Sequence, residues 1–255
     1  MIASLPMYDP PPLHAANDRL WGLIRSALAD RGIAAPPRLT RGGDLWDHWL
    51  DPGLVLSQTC GLPFRSRLHD RVVLIGTPDY GLPGCPPGYY RSVLVARADD
   101  PRSDWAAFSG ARFAFNDALS ESGWAGPQRA AAAAGVDLVP VGPTGAHRAS
   151  ALAVAEGRAD HAGIDAQTWR ILTRTDDWTG RLRVVAETPA APGLPLIGAA
   201  GTDPAPLRAA VAEAIAALHA ADRAATGLRG IVAIPAAAYL ALPLPSAPAP
   251  AGRSG

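Results

Sequence analysis

The chain has 255 residues, which is enough for one large domain or for two lobes that each bury a core. Its residues are 48% hydrophobic and 18% charged, and this composition excludes a disordered chain. Lys plus Arg and Asp plus Glu number 23 each, and the resulting net charge of +0 argues against a nucleic-acid partner. Any anion site must therefore be local and built mainly from dipoles.

The N-terminal segment and the two cysteines bear on the location of the chain and on metal binding. The segment from Met1 to Tyr8 shows no basic stretch followed by an apolar one, so the chain as written is predicted to be cytoplasmic, or periplasmic if its start is incomplete. No apolar stretch is long enough to span a membrane. Cys60 and Cys85 belong to no Cys-x-x-Cys motif and no His cluster has metal-ligand spacing, so we expect no metal and no cofactor. We predict two reduced thiols, with a disulfide between them as the alternative.

The first third of the chain combines short apolar runs with one amphipathic stretch. Apolar residues recur at i, i+3, i+4, i+7 and i+8 from Leu20 to Leu28, which predicts a helix that ends before Gly32. Strands are predicted at residues 1–6, 54–57, 71–76 and 89–97, and a short helix at 43–50.

A second unit begins near residue 111 and alternates strands with helices. Strands are predicted at 111–115, 137–141, 159–164, 182–186 and 194–199, and helices at 123–134, 146–156, 166–173 and 204–218. This alternation predicts an α/β fold with mainly parallel sheets.

Two long extended segments, 89–97 and 188–196, are predicted to be hinge strands that join two lobes. Lobe 1 would then comprise residues 1–88 and 190–255, with a disordered tail from about residue 245, and lobe 2 would comprise residues 89–189. Two hinged lobes enclose a cleft, so we predict a ligand site between them.

The most informative segment runs from Phe113 to Trp124 and is predicted to form a strand, a polar turn and a helix start. Asn116, Ser120, Ser122 and Gly123 lie at this junction. Backbone N–H groups at a helix start have no intrahelical partner, so with hydroxyls and a glycine they suit an oxyanion. The alternative is a plain N-cap, in which one Ser side chain accepts from the backbone two or three residues on.

Two further strand ends carry polar residues. His147 starts the helix that follows Gly142, where it can donate to an anion or merely cap and pack. Asp165 ends a strand at the edge where open α/β sheets bind ligands, and it can accept from a protonated ligand oxygen or cap the next helix.

In the first unit, polar residues also follow predicted strands. These candidates are Tyr8, Gln58, Thr59 and Tyr80. They offer neutral donors to the predicted cleft, although tyrosines near Pro/Gly loops also serve as packing residues.

Several motifs together resemble one family. They are Gly76-Thr77-Pro78-Asp79-Tyr80, Tyr89-Tyr90-Arg91-Ser92-Val93-Leu94-Val95, Asn116-x-x-x-Ser120-x-Ser122-Gly123, and Gly145-Ala146-His147-x-x-Ser150 followed by Ala155-x-Gly157-x-x-Asp160. This set resembles the phosphate/phosphite/phosphonate substrate-binding proteins of ABC importers. The resemblance covers roughly residues 1–243 and is most specific in the second lobe.

The resemblance implies a type II periplasmic-binding-protein fold, with two α/β lobes, two crossing strands and the ligand at their interface. It implies that Ser120, Ser122, Gly123 and His147 hold the oxyanion, and that Asp165 is a polar pocket residue. Tyr8, Gln58 and Thr59 match first-lobe pocket positions.

We therefore expect a monomeric solute-binding protein that captures a small phosphate-, phosphite- or phosphonate-like oxyanion, with an ABC permease as its further partner and no catalytic residue. One alternative is a cytoplasmic enzyme or ligand sensor on the same fold, since fold does not determine function. Ser122, His147 and Asp165 offer a hydroxyl, an imidazole and a carboxylate, but no Gly-x-Ser-x-Gly motif accompanies them. A third alternative is an interaction module with a vestigial cleft.

Overall fold

The computed structural model of the chain describes residues 1–248. The chain folds into two compact lobes. The first lobe contains residues 1–89 and 192–242, and the second contains residues 90–191 together with residues 243–248. The breaks after residues 89 and 191 lie within two residues of the predicted breaks after residues 88 and 189. The C-terminal boundary differs, because residues 243–248 were expected in lobe 1.

The strands, in chain order, are β1 (Ile2–Ser4), β2 (Leu54–Gln58), β3 (Val72–Asp79), β4 (Tyr89–Tyr90), β5 (Ser92–Arg97), β6 (Arg112–Ala114), β7 (Val139–Val141), β8 (His161–Asp165), β9 (Leu182–Glu187), β10 (Ala191–Pro192), β11 (Leu196–Ala199) and β12 (Gly230–Val232). The helices are α1 (His14–Ala29), α2 (Leu45–Trp49), α3 (Gly61–Pro63), α4 (Gly126–Ala134), α5 (His147–Ala155), α6 (Ala166–Thr175), α7 (Pro204–Ala217), α8 (Ala220–Thr226) and α9 (Ala236–Leu240). A π-helical turn, Phe64–Leu68, follows α3, and another, Glu121–Ala125, precedes α4.

The first lobe is built on a sheet with the strand order β1-β2-β11-β3-β12. α1 and α7 cover one face of this sheet and bury Trp21, Ile24 and Val211 there. The other face buries Phe64 and Tyr239 from the segments near α3 and α9. Apolar burial on both faces explains why the central strands read as nearly continuous apolar runs.

The second lobe is built on a sheet with the strand order β7-β6-β8-β5-β9. β5 shows how the sequence serves both faces of this sheet. Val93 and Val95 join the core under α5 and α6, whereas Leu94 packs on the opposite face with Phe108. Because successive side chains of a strand alternate, a fully apolar strand is one that is covered on both sides.

Both sheets are mixed, which corrects the prediction of mainly parallel sheets. β11 runs antiparallel to both β2 and β3, and β5 runs antiparallel to both β8 and β9. β11 and β5 are the strands that follow the two connections between the lobes, so each enters its sheet from outside the local strand-helix alternation. Of the remaining neighbours, β12 is antiparallel to β3. β1 is parallel to β2, and β6 is parallel to both β7 and β8.

The connecting segments pair with each other. β4 and β10 form a two-stranded sheet, and these are the segments in which the chain passes between the lobes. Beside them, the Ser92 N–H donates to the Thr188 hydroxyl at 3.0 Å, and the Thr188 N–H donates to the Ser92 carbonyl at 2.9 Å.

The C-terminal segment does not follow the expectation of disorder in residues 245–248. The Ser246 carbonyl accepts hydrogen bonds from Trp124 Nε1 at 2.8 Å and Gln128 Nε2 at 3.2 Å, so this part of the tail packs on the second lobe. Residues 249–255 of the expected disordered tail lie outside the described residues.

Cys60 and Cys85 form no disulfide bond with each other. Three short elements differ from the prediction. α8, α9 and β12 were not predicted, because residues 220–240 are rich in Ala and each of these elements is too short to show a clear hydrophobic period.

Gly163 allows a close approach in the second lobe, and this generates a stability prediction. A Cβ at Gly163 would lie 2.6 Å from Pro127 Cγ and 3.2 Å from the Ser122 carbonyl oxygen. Replacing Gly163 with Ala should therefore lower the free energy of unfolding by about 1–3 kcal/mol, because α4 must shift on β8. Urea denaturation followed by circular dichroism measures this difference.

The matched control is Gly22→Ala in α1, where a Cβ meets no atom within 4 Å. This change should leave the protein as stable or stabilise it by up to about 1 kcal/mol, because Ala favours helix over Gly. Equal effects of the two substitutions would contradict the close packing at Gly163.

Candidate functional site

Polar residues collect at one edge of the second-lobe sheet. β6, β7 and β8 are parallel, so their carboxyl ends lie at the same edge. Asn116 follows β6, His147 starts the helix after β7, and Asp165 ends β8. The topology therefore places the three second-lobe segments that the sequence singled out along one side of the sheet.

The helix after β6 starts two residues earlier than predicted, at Glu121. Ser120 is its N-cap, and the Ser120 hydroxyl accepts from the Gly123 N–H at 2.9 Å. The plain N-cap interpretation is thus correct for Ser120. Ser122 and Gly123 lie inside the first turn, where N–H groups point out of the helix end.

The Ser122 carbonyl is satisfied from outside its own helix. The N–H of Gly126 bonds to the Glu121 carbonyl, and Pro127, the next residue in the π-helical pattern, has no N–H. The Ser92 hydroxyl donates to the Ser122 carbonyl at 2.8 Å, and Ser92 is buried. The first strand after the connecting segment therefore holds the first turn of the helix in position.

Gly123 is closely covered by Asn116. A Cβ at Gly123 would lie only 1.7 Å from Asn116 Oδ1, so the glycine makes room for the amide. Asn116 Oδ1 is buried and has no hydrogen-bond partner within the described residues. A buried amide oxygen over the first helical turn is a polar atom available for a ligand or a bound water.

His147 is brought to this turn by backbone bonds between two loops. The Thr144 N–H donates to the Phe115 carbonyl at 3.0 Å, and the Gly145 N–H donates to the Asn116 carbonyl at 2.9 Å. As a result, His147 Nε2 lies 2.8 Å from the Ser122 hydroxyl oxygen. Burial lowers the pKa of His147 to about 4, against a raising effect of the Gly163 backbone, so the imidazole is neutral at pH 7.

The helix start also carries a buried ion pair. Glu121 is 2% exposed and forms a salt bridge with Arg129, which lies two turns along the helix. This pair neutralises the carboxylate next to Ser122. Positive potential at the cluster therefore comes from helix N–H groups rather than from this guanidinium.

Asp165 has a structural role that the sequence left open. It is the N-cap of α6, and its Oδ1 accepts from the Thr168 N–H at 2.8 Å. Its backbone pairs with Ser92 of β5, whose hydroxyl holds Ser122. Ser92 therefore links Asp165 to the Ser122 turn. One carboxylate oxygen of Asp165 caps α6, as the capping alternative predicted.

The first lobe has its own cluster at strand ends. β2 and β3 run in the same direction, and Tyr8, Gln58 and Tyr80 lie at or just after the ends of β1, β2 and β3. All three line one cavity of about 30 Å³, which has room for a water or two. Gln58 Nε2 donates to the Leu194 carbonyl at 3.2 Å and to the Tyr80 hydroxyl at 3.4 Å.

Thr59 is next to this cluster in the chain but does not line the cavity. Its N–H donates to the Pro195 carbonyl at 3.0 Å, and its side chain is fully buried. The Thr59 hydroxyl has no hydrogen-bond partner within residues 1–248. A buried hydroxyl without a partner is rare in folded proteins, and a ligand or a water can supply the missing hydrogen bond.

Sequence reasoning missed Ser92, Glu121 and Arg129. The signal for Ser92 was Pro127, five residues after Ser122, because a proline there leaves a carbonyl that needs an external donor. The Glu121–Arg129 pair spans eight residues, beyond the usual i, i+4 spacing. No group of three metal-ligating side chains close enough to hold an ion occurs among the residues described.

Two lobes of α/β structure, joined by two connecting strands, form the fold of the periplasmic binding proteins. The chain belongs to the family of phosphonate ABC transporter periplasmic substrate-binding proteins, whose sequence model matches residues 66–238. The predicted family, fold class and substrate-binding function are thereby confirmed. No curated protein matches the chain.

Solved structures share this fold at low sequence identity. PhnD1 from Prochlorococcus marinus, solved in complex with methylphosphonate, is 16% identical with a TM-score of 0.69, covering 93% of this chain and 94% of that one. A binding protein component of an ABC phosphonate transporter from Pseudomonas aeruginosa is 16% identical with a TM-score of 0.63, covering 92% and 81%. A protein from Xanthomonas citri, solved bound to ATP, is 15% identical with a TM-score of 0.64, covering 92% and 91%.

Family membership also decides between the alternatives. The family consists of substrate-binding proteins of ABC transporters and not of enzymes, so the enzyme alternative is not supported. Such a protein binds a small ligand and works with a permease, and the family is normally periplasmic. No helix within residues 1–248 has the length and hydropathy needed to cross a membrane.

Two histidines of the second lobe with lowered pKa values predict how stability depends on pH. His161 is fully buried, accepts from Trp105 Nε1 at 3.1 Å, and has a pKa that burial lowers to about 4, like that of His147. Both folded pKa values lie below the unfolded value of 6.5, so stability is complete above pH 6.5 and falls as the pH approaches 4. For His161 the loss is roughly 3 kcal/mol.

Urea unfolding at intervals from pH 7 to pH 4 measures this loss. The variant His161→Gln should be less stable at pH 7 but should show a shallower decline, because one titrating group is gone. A stability that stays constant between pH 6.5 and pH 4 would contradict the neutral state of both rings.

Proposed function

We propose that the chain binds a phosphonate- or phosphate-like oxyanion at the second-lobe cluster of Asn116, Ser120, Ser122, Gly123 and His147, and presents it to an ABC permease. The observation that carries the proposal is the 2.8 Å contact between the Ser122 hydroxyl and His147 Nε2 at the first turn of a helix. It unites a hydroxyl, an imidazole and helix N–H groups at one place. Tetrahedral oxyanions are bound by this combination of groups.

The charge distribution favours recognition by hydrogen bonds. Arg129 is engaged by Glu121, and the chain has a net charge of +0, so bulk attraction contributes little. Helix N–H dipoles and the Ser122 hydroxyl remain as donors. They act over short distances, and the proposed site therefore selects the geometry of the anion more than its charge.

The neutral ring of His147 adds selectivity in this proposal. A neutral imidazole has one N–H donor and one acceptor nitrogen. When the Ser122 hydroxyl turns toward a ligand oxygen, Nε2 is released and can either donate to a P–O⁻ oxygen or accept from a P–OH group. We therefore expect phosphonate monoanions to bind, with methylphosphonate as the first probe because PhnD1 binds it.

We extend the proposal to the first lobe, where Tyr8, Gln58, Thr59 and Tyr80 contribute further ligand contacts. Thr59 is the strongest of these candidates, because its buried hydroxyl has no partner in the described part of the chain. Asp165 is proposed as a further pocket residue, because it ends β8 on the same side of the sheet as Asn116 and His147. The cleft predicted between the lobes stays a prediction, as does the monomeric state.

The periplasm is the proposed compartment, because that is where the family normally acts. Delivery to a permease follows from the same membership. The permease step can be tested by reconstituting a phosphonate ABC permease in vesicles and measuring phosphonate uptake with and without this chain.

Substitution of the second-lobe cluster tests the proposal. Ser122→Ala and His147→Ala should each raise the Kd for methylphosphonate about tenfold or more, because each removes a hydrogen bond to a charged ligand. Isothermal titration calorimetry measures the Kd, and circular dichroism verifies the fold.

The matched controls are Ser103→Ala and His69→Ala, which change exposed residues of the same types. These controls should keep the wild-type Kd. A Kd that is the same for all four variants would refute the assignment of the cluster, and binding of sulfate as tight as methylphosphonate would refute its selectivity.

Thr59→Val separates a ligand-binding role from a structural one in the first lobe. Valine keeps the shape of the side chain and removes a hydroxyl that has no partner, so the melting temperature should stay constant or rise. If the hydroxyl donates to the ligand, the Kd for methylphosphonate should rise about tenfold. A lower melting temperature with an unchanged Kd would show that Thr59 serves the fold and not the ligand.

A further inference from the structure

The C-terminal segment contacts the helix that carries the proposed anion site. Trp124 Nε1 and Gln128 Nε2 both donate to the Ser246 carbonyl, at 2.8 Å and 3.2 Å. The Ser246 N–H donates to Gln128 Oε1 at 2.9 Å. The Gln128 amide thus pairs with both backbone groups of one residue, as a neighbouring β-strand would.

These contacts involve the backbone of Ser246 and not its side chain. All three hydrogen bonds involve the N–H or the carbonyl of Ser246, so they require an extended conformation at this residue. Pro243, Pro245 and Pro248 surround it. Proline restricts the free chain to extended conformations, which lowers the entropy lost when the segment docks.

The docking residues are part of the first turns of the anion-binding helix. Trp124 directly follows Gly123, is 3% exposed, and packs its ring against Phe115 with centroids 5.1 Å apart. The indole N–H is the only polar group of this buried ring, and the tail supplies its acceptor. Without the tail, the N–H would need water or a shift of the ring, and either would disturb the turn that contains Ser122.

We propose that residues 243–248 form a C-terminal clip, which docks on Trp124 and Gln128 and holds the Ser122–Gly123 turn in its anion-binding conformation. Clip docking and anion binding then favour each other by the same factor, because linkage between two binding events is reciprocal. The predicted linkage between the clip and the anion rests on the proposed function. The claim that the clip holds the Ser122–Gly123 turn does not depend on that function.

The test compares Ser246→Pro with Ser246→Ala in the full chain. Proline removes the N–H that binds Gln128 Oε1, whereas alanine keeps every backbone contact and serves as the control. Hydrogen exchange read by mass spectrometry should show that amides 121–125 exchange about tenfold faster in Ser246→Pro and at the wild-type rate in Ser246→Ala. Gln128→Ala should reproduce the faster exchange from the other side of the contact.

The same variants are then titrated with methylphosphonate. Ser246→Pro should raise the Kd about threefold to tenfold, Ser246→Ala should not change it, and saturating methylphosphonate should slow exchange of the Ser246 amide in the wild type. Wild-type exchange rates in both Ser246→Pro and Gln128→Ala would overturn the clip. A wild-type chain that binds no methylphosphonate would instead overturn the proposed function. The clip would still be tested in that case, because the exchange of amides 121–125 is measured without a ligand.

Discussion

The Ser122 carbonyl has no backbone donor in its own helix, and the geometry of the candidate site depends on this constraint. Gly126 donates to Glu121, and Pro127 has no N–H, so a buried carbonyl must find a side-chain donor. Ser92 supplies it from β5. The Ser122–Gly123 turn is therefore anchored to the central sheet and to the segment beside Thr188, and the Ser122 hydroxyl contacts His147.

The charged and titratable groups around the candidate site are neutral overall. Glu121 and Arg129 cancel each other, burial keeps His147 uncharged, and the whole chain carries no net charge. An anion that enters such a site meets dipoles and hydroxyls, whose strength depends on distance and direction. Under the proposed function, specificity for a tetrahedral oxyanion would depend on hydrogen-bond geometry, which suits a protein that must bind its ligand and later release it.

Much of the fold was predictable because its signals are local. The 3.6-residue period of α1, the strand-turn-helix junction near Asn116 and the helix start at His147 are all read within a dozen residues. The mixed sheets were not predictable in the same way. β5 and β11 enter their sheets antiparallel because they follow the connections between the lobes, and no local pattern records where a strand will be inserted.

The sequence by itself determined the α/β class, the two-lobed division and the polar residues at strand ends, since periodicity and turn chemistry are encoded by neighbouring residues. Only the tertiary structure decided that Ser120 caps the helix while Ser122 meets His147, a contact across 25 residues. It also decided that Ser92 holds the turn and that Ser246 docks on Trp124, 122 residues away. Hydrogen bonds between such distant residues depend on packing, and packing is decided by the whole core.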